Sequence, residues 1–558
     1  MPDVGLGLGG QAVDLGHVAA LMAQMAGMAE MVPNAPGPLA PRSPAMPGLP
    51  SALGSGGPAH PLPPNAGVSA AESWLLPGGE MTAPASAALR EGQDPSLLDL
   101  DLLPLYDRGR PVPMAMPRGA GPATALAPAP EPGYYFLPQD TQHDRRHPHA
   151  PRGPLIRDDF PLLQQRVNGH RLVWLDSAAT TQKPNLVIDT EAEFYRRDNS
   201  NVHRGAHTLA KRATEAYETA RRKVQVFLGA AAMEEIVFVR GATEGINLIA
   251  QSLGRQIVGE GDEIIVSHLE HHSNIVPWQM LCRERKAVLR VAPVDDNGDI
   301  DMPAYQALLG PRTRIVALTQ VSNVLGTLVP IAPMTALAHR HGAVVVVDGA
   351  QSVAHVPVDV RCLDVDFFVF SGHKLYAPTG IGAVYGKKAL LDAMPPWQGG
   401  GSMIESVSFE HTTYAPVPAK FEAGTGHFAG AVGLGAAIDY LEALGRDNVA
   451  AHEQALVGHA VAALRTVPGL RLLGAPSIRI GALPFVIEGL ESTAVARFLD
   501  SKGIAVRAGH HCAQPILRRF GLDSSVRASL GVYSAHDDID ALVDALCELT
   551  AARGRAIA

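Results

Sequence analysis

The sequence predicts an α/β protein: a large domain built on a doubly wound sheet, then a smaller C-terminal α+β domain. A Pro/Ala/Gly-rich tail precedes both. Three observations carry this expectation. Six short runs of near-continuous Val, Ile and Phe follow residue 230, as strands covered by helices on both faces require. The segments between them are long enough for crossover helices. Four of the runs stop abruptly at polar clusters, the place where open α/β sheets bind ligands.

The tail comes first. Residues 1–152 hold 26 of the 45 prolines and no lysine; the first lysine is Lys183. Proline at this density breaks both helix and ladder bonding. Pro/Gly-rich sequence without a period is expected to be disordered. Three apolar islands interrupt it: 13–31, 96–106 (SLLDLDLLPLY) and 133–138 (GYYFLP). The first reads as a short amphipathic helix. All three read as docking segments for a partner, with chance composition in a linker as the bland alternative.

From about residue 154 the texture changes. Expected strands are IVFVRG (236–241), EIIVSHLE (263–270), RIVALTQVSN (314–323), VVVVDGAQ (344–351), DFFVFSGHK (366–374) and GAVYG (382–386). Segments such as 332–341 are expected to be crossover helices. Beyond 429, helices at 453–467, 493–502 and 537–553 with a strand at 483–487 read as the smaller domain. The expected division is 1–152, 153–428 and 429–558. No repeat of 20–50 residues is visible.

Bulk properties exclude several functions. Of 558 residues, 46 are Lys or Arg and 55 Asp or Glu, a net charge of −9. That argues against nucleic acid as a partner. No apolar run reaches 18 residues, so no membrane span is expected. The start lacks a cationic stretch before an apolar one, so no secretory leader is expected. Four cysteines cannot form a disulfide framework, and a reducing cytoplasm is the natural reading.

The polar clusters agree on one ligand. Residues Gly241 to Gly245, with Ala242 and Thr243 among them, lead into a helix expected at 246–252, whose free N–H groups and dipole suit a phosphate, with Ser371 and His373 as further donors. Lys374 follows a buried strand, where desolvation lowers its pKa, as a Schiff-base lysine needs. Asp348 ends the VVVV run and can hold a protonated ring nitrogen; His271 can stack on a ring face. A lone Asp after a strand is usually a helix cap. Together these groups specify pyridoxal 5′-phosphate (PLP).

A second constellation, RAGHHCAQP at 507–515, places Cys512 among basic groups that favour the thiolate. Cys282, Cys362 and Cys547 read as small apolar fillers. Cys512 with its two preceding histidines could instead ligate zinc. No further pair at metal spacing supports that, so the nucleophile is preferred and no metal is expected. Arg527 can clamp a carboxylate bidentately; its bland alternative is a surface ion pair.

These residues match a family. SGHKLY, VDGAQ, EHHSNIVPWQML, VSNVLG, RGATEGINL, VHRGAHTL, GGGSMI, FEAGT and RAGHHCAQP resemble the group II, Suf-type cysteine desulfurases. Those are PLP enzymes of the class V aminotransferase superfamily with the fold type I architecture and a mostly parallel sheet. The resemblance covers about 154–553. It implies conversion of L-cysteine to L-alanine, with the sulfur held as a persulfide and passed to a Suf-type acceptor for iron–sulfur cluster assembly or storage. By resemblance, Lys374 carries the cofactor and Asp348 and Gln351 hold the ring nitrogen and ring oxygen. His271 stacks and moves protons. Thr243, Ser371 and His373 bind phosphate, and Thr425 is lent by the other subunit of a homodimer. Asn323 contacts substrate or ring oxygen, Arg527 clamps the carboxylate and Cys512 takes the sulfur. Arg507 and His203 join the substrate-binding residues, and Arg204 lies in the same motif as His203.

The pattern departs at Ala242, where a second Thr is common, at Ala508, and at Gly426-His427-Phe428 after FEAGT. A long Pro-rich tail resembles that of desulfurases packed as cargo inside encapsulin nanocompartments. That implies a shell-protein partner and a cytoplasmic compartment, with a tether to the sulfur acceptor as the rival. Rival functions are a selenocysteine lyase or aminotransferase on the same fold, and a non-catalytic shell-targeted scaffold.

Overall fold

Seven strands form the central sheet of the computed structural model, which describes residues 156–203 and 205–557. The three tail islands and Arg204 lie outside the described residues. The strands are β1 (Ile236–Val239), β2 (Glu263–Ser267), β3 (Val288–Ala292), β4 (Thr313–Thr319), β5 (Val344–Asp348), β6 (Phe367–Ser371) and β7 (Gly382–Gly386). Their spatial order is β1-β7-β6-β5-β4-β2-β3. Only β7 runs antiparallel to its neighbours, β1 and β6; the other four pairings are parallel.

The continuous apolar runs have a direct cause. Val237, Ile264, Ile315, Val346, Phe367 and Val369 bury into one core, while Phe238, Ile265, Val316, Val345, Val347 and Phe368 bury into the other. Successive side chains point to opposite faces, so a sheet with two covered faces needs apolar residues at every position. β3 escaped the sequence pattern for the opposite reason. It is an edge strand whose Val288 and Val291 are 40% and 41% exposed. Five of the six expected runs are longer than their strands, and 382–386 matches β7. The polar tails of 263–270, 344–351 and 366–374 fall beyond Ser267, Asp348 and Ser371, where the chain leaves the sheet.

The C-terminal sheet is antiparallel, with strands Leu470–Leu472, Ala482–Ile487, Ser525–Ser529 and Arg507–Gly509 in that order. It shares a core with helices Arg446–Leu464, Ser492–Ser501 and His536–Ile557. Two features depart from the expected division. Val173–Trp174 pairs with Ile504–Ala505, and Val173 and Leu175 bury in this C-terminal core. Helix Phe428–Leu444, placed after the 428/429 boundary by sequence, packs against helix Thr208–Leu228 of the large domain. Small residues such as Ala220, Ala431 and Gly435 allow that close approach. No single helix among the described residues is long and apolar enough to cross a membrane.

A buried ion pair anchors the segment carrying FEAGT. Arg221, 1% exposed, donates from Nη1 to Glu422 Oε1 at 2.6 Å and from Nη2 to Oε2 at 3.0 Å. Glu422 also accepts from the Phe238 N–H and the Tyr217 hydroxyl, tying the loop to β1 and to helix Thr208–Leu228. Removing one partner of a buried pair costs about 3–5 kcal/mol when the other charge is left bare. Arg221 keeps Glu218 as a partner, so Glu422→Ala is expected to lower stability by about 2–3 kcal/mol in denaturant unfolding. A loss under about 1 kcal/mol, the range of a surface pair, would show that the anchor is unimportant.

Candidate active site

The parallel strands end on one edge of the sheet, and the antiparallel β7 brings the outer strand to the same edge. Gly382, the first residue of β7, lies between Val239 and Ser371. A Cβ on Gly382 would stand 2.3 Å from the Phe370 carbonyl oxygen and 2.8 Å from the Gly241 Cα. Only glycine therefore lets the turn after β1 lie against the end of β6.

A cleft of about 180 Å³ opens at this edge. Lys374, Asp348, Gln351, Ser371 and His373 line it from β5 and β6, and Thr243, His271 and Asn323 from the loops after β1, β2 and β4. Arg507, Cys512 and Arg527 reach it from the C-terminal sheet. Thr425 and His203 do not. Both line a second cleft of about 540 Å³ together with Arg240 and Glu244. The sequence reading missed Ser273, Thr319 and His511, which also border the first cleft.

The phosphate-like corner forms at helix Ala242–Ile249, which starts four residues earlier than the apolar pattern implied, so Thr243 sits in its first turn. The Ala242 N–H donates to Ser371 Oγ at 2.8 Å. That bond leaves the Ser371 hydroxyl proton for an anion. Opposite, Asp348 is 3% exposed and accepts one backbone bond, from the Ala350 N–H at 2.9 Å. Desolvation raises its pKa, a cost that a neighbouring cation would relieve.

Lys374 is enclosed by the cleft walls yet open to the lumen. Desolvation pushes its pKa down to about 8; Asp348 opposes the shift, while Arg527 adds to it. The His373 carbonyl beneath it accepts from Thr180, Thr181 and Lys183, which fixes the turn. His271 is pushed down to about 3, first by burial and then by Lys374. Its Nδ1 accepts the Ser273 N–H at 3.1 Å, so the neutral ring carries its proton on Nε2. Gln351 donates to the Ala178 carbonyl at 2.7 Å.

Arg527 is 1% exposed, so the surface ion-pair alternative fails. It donates to the Asn323 carbonyl at 2.8 Å and to Asp176 Oδ1 at 3.0 Å. Burial lowers its pKa to about 10, still cationic at neutral pH. Asp176, absent from the sequence-derived site, also pairs with Arg507 at 3.5 Å. The Asn323 amide is already committed on one side, donating to the His511 carbonyl at 2.7 Å. Asn323 Oδ1 and Arg527 Nε are buried without partners, donor and acceptor sites that a polar ligand would satisfy.

Cys512 sits in a loop where His511 (φ 51°) and Cys512 (φ 55°) are both left-handed. Non-glycine residues adopt this conformation only where the surroundings impose it. Here the Cys512 N–H donates to His510 Nδ1 at 3.0 Å, and the Cys512 carbonyl accepts the His272 N–H at 2.7 Å. His511 turns inward to Ser525. Cys282 is buried and its thiol is pushed up to about 11, as a filler should be. Cys362 is exposed in a loop, which corrects its reading as a filler.

The sequence matches the family model for class-V aminotransferases over residues 173–542. It is 57% identical over 391 residues to a cysteine desulfurase of Synechococcus elongatus, covering 70% of this chain and 62% of that one. It is 55% identical to a cysteine desulfurase of Dickeya dadantii, covering 70% and 95%. The chain spans less than two thirds of the Synechococcus relative and of two mycobacterial ones (64% and 57%). Among solved structures, the cysteine desulfurase CsdA of Escherichia coli superposes with a TM-score of 0.66 at 42% identity. That match covers 72% of this chain and all of that one.

Proposed function

The chain belongs to the class V aminotransferase family, and from that premise we propose that it is a PLP-dependent cysteine desulfurase of the group II, Suf type. Its substrate is L-cysteine and its products are L-alanine and a persulfide. One observation carries this reading: Lys374, Asp348 and Cys512, far apart in sequence, line the same small cleft. Transamination has no use for a cysteine there.

The residues fit the cofactor. Thr243, Ser371 and His373 would hold its phosphate, Asp348 its ring nitrogen, Gln351 its ring oxygen, His271 its ring face and Lys374 its aldehyde carbon. Bound there, PLP supplies an electron sink for charge developing at the substrate α-carbon. The protein's own groups do the rest. Arg527 holds the substrate carboxylate with the guanidinium N–H groups left over from Asn323 and Asp176, the latter fixing its orientation. A pKa near 8 lets the Lys374 amine act as a base at neutral pH. His271 holds a proton at Nε2 facing the cleft. The Cys512 thiolate attacks the substrate sulfur; a sulfur–sulfur bond forms as the carbon–sulfur bond breaks, its electron pair stays with the β-carbon, which takes up a proton, and alanine leaves.

Thr425 and His203 have their place in a homodimer. The second cleft contains Glu244, from the helix that carries Thr243, so a partner inserted there would lie beside the phosphate corner. Residues 1–152 are read as an address for a shell protein, on their composition and apolar islands alone. Sulfur is passed on to a Suf-type acceptor.

Incubation with L-cysteine tests the reading. The yellow holoenzyme should release alanine and gain one sulfur on Cys512 by mass spectrometry. A chain beginning at Pro154 should retain both properties, because every proposed site residue lies at or beyond Asp176. A colourless protein, or no alanine, overturns the function. A folded but inactive truncation overturns the separate role of the tail.

A further inference from the structure

Beside the cleft the fold sets two histidines that the proposed chemistry does not use against the thiol that it does. His272, from the loop after β2, meets His510 and Cys512, from the loop before helix Gln514–Arg519. One ligand atom from each lies within 4.8 Å of the other two. We propose that these three side chains form a zinc site that closes over the sulfur of Cys512.

Three features support a built site. The first is that backbone bonds clip the two loops together. The His272 N–H donates to the Cys512 carbonyl at 2.7 Å, and the Gln514 N–H donates to His272 Nε2 at 3.2 Å. The Cys512 N–H fixes His510 through Nδ1. Each ring thus keeps its second nitrogen, Nδ1 of His272 and Nε2 of His510, outside those bonds. The second feature is the donor chemistry. One thiolate and two imidazoles, with no carboxylate, match zinc and disfavour magnesium and calcium. Three protein ligands leave the fourth tetrahedral position to water. The third is access: His510 is exposed, so an ion reaches the site from solvent without entering the cleft.

Ligands about 2.0–2.3 Å from a tetrahedral zinc stand roughly 3.4–3.8 Å apart. From within 4.8 Å of one another, the ligand atoms reach that spacing by a movement of about 1 Å. On binding, the Cys512 S–H bond breaks and its proton passes to solvent as the sulfur–zinc bond forms. Metal capture would withdraw the sulfur lone pair that attacks the substrate. This inhibition rests on the proposed function; the binding itself does not.

The test uses the full-length, cofactor-loaded protein. Zinc titrated in a calorimeter should bind once per chain, and saturating zinc should slow iodoacetamide alkylation of Cys512 at least about tenfold, reversed by EDTA. Magnesium should do neither. His510→Asn and His272→Gln keep acceptors for the backbone N–H groups but remove ligands. Each should weaken zinc by about 100-fold or more, beyond the 10–100-fold lost with an outer partner. In both variants zinc should no longer slow alkylation relative to the same variant without zinc. The proposal is overturned if both variants bind zinc as the parent does, or if zinc leaves Cys512 alkylation unchanged. Failure to make alanine from cysteine while zinc still protects Cys512 would overturn the function and leave the metal site standing.

Discussion

Lys374→Ala is expected to abolish alanine formation from L-cysteine, a loss of at least about a thousandfold, since groups acting as one catalytic unit fail together. The fold should survive, because the side chain faces a lumen and fills no core. The absorbance that makes the holoenzyme yellow should change as the covalent link is lost. Full alanine production in the variant would refute the assignment. The lysine is prepared for this role by its surroundings. Desolvation brings its pKa from 10.5 to about 8. At pH 7 the free amine rises from roughly 0.03% to about 10%, some 300-fold. In chain stripped of cofactor, reattachment should therefore accelerate with pH and level off near 8. Levelling only above pH 10 would mean that burial does not tune this amine.

Cys512→Ser is expected to stop persulfide formation and to lower cysteine turnover by about a thousandfold, while the cofactor stays bound. The separation follows from the architecture. The proposed cofactor contacts sit on β5, β6 and the loops after β1 and β2, whereas Cys512 arrives from the C-terminal sheet. Mass spectrometry after cysteine treatment should find the added sulfur on Cys512 of the parent. Sulfur on the exposed Cys362 instead would overturn the assignment. Cys282 is the least able competitor, since burial holds its thiol up near 11 and leaves it protonated.

Much of the site is legible in the sequence. A buried strand that stops at a polar residue announces its carboxyl end, which locates Asp348, Ser371 and Lys374 at one edge. Other elements left no local trace. β3 is half exposed and lacks the apolar signature. Helix Phe428–Leu444 is set by small residues that fit helix Thr208–Leu228, a match between segments roughly 200 residues apart. The resemblance gives Thr425 to the cofactor phosphate and His203 to the substrate, yet within one chain both face a different cleft.

The sequence by itself determined the α/β class, the edge of the sheet that carries the chemistry, and the residue types gathered there. Those features depend on the periodicity of side chains along single strands, which is local. Tertiary structure alone decided the state of each group. Asp176 became the partner of Arg527 only because strand Ser525–Ser529 lies beside residues about 350 positions earlier. The fold also decided which of two adjacent histidines turns inward, His511 to Ser525, and which stays beside the thiol with His272. Such outcomes depend on long-range contacts and desolvation, quantities that no short stretch of sequence contains.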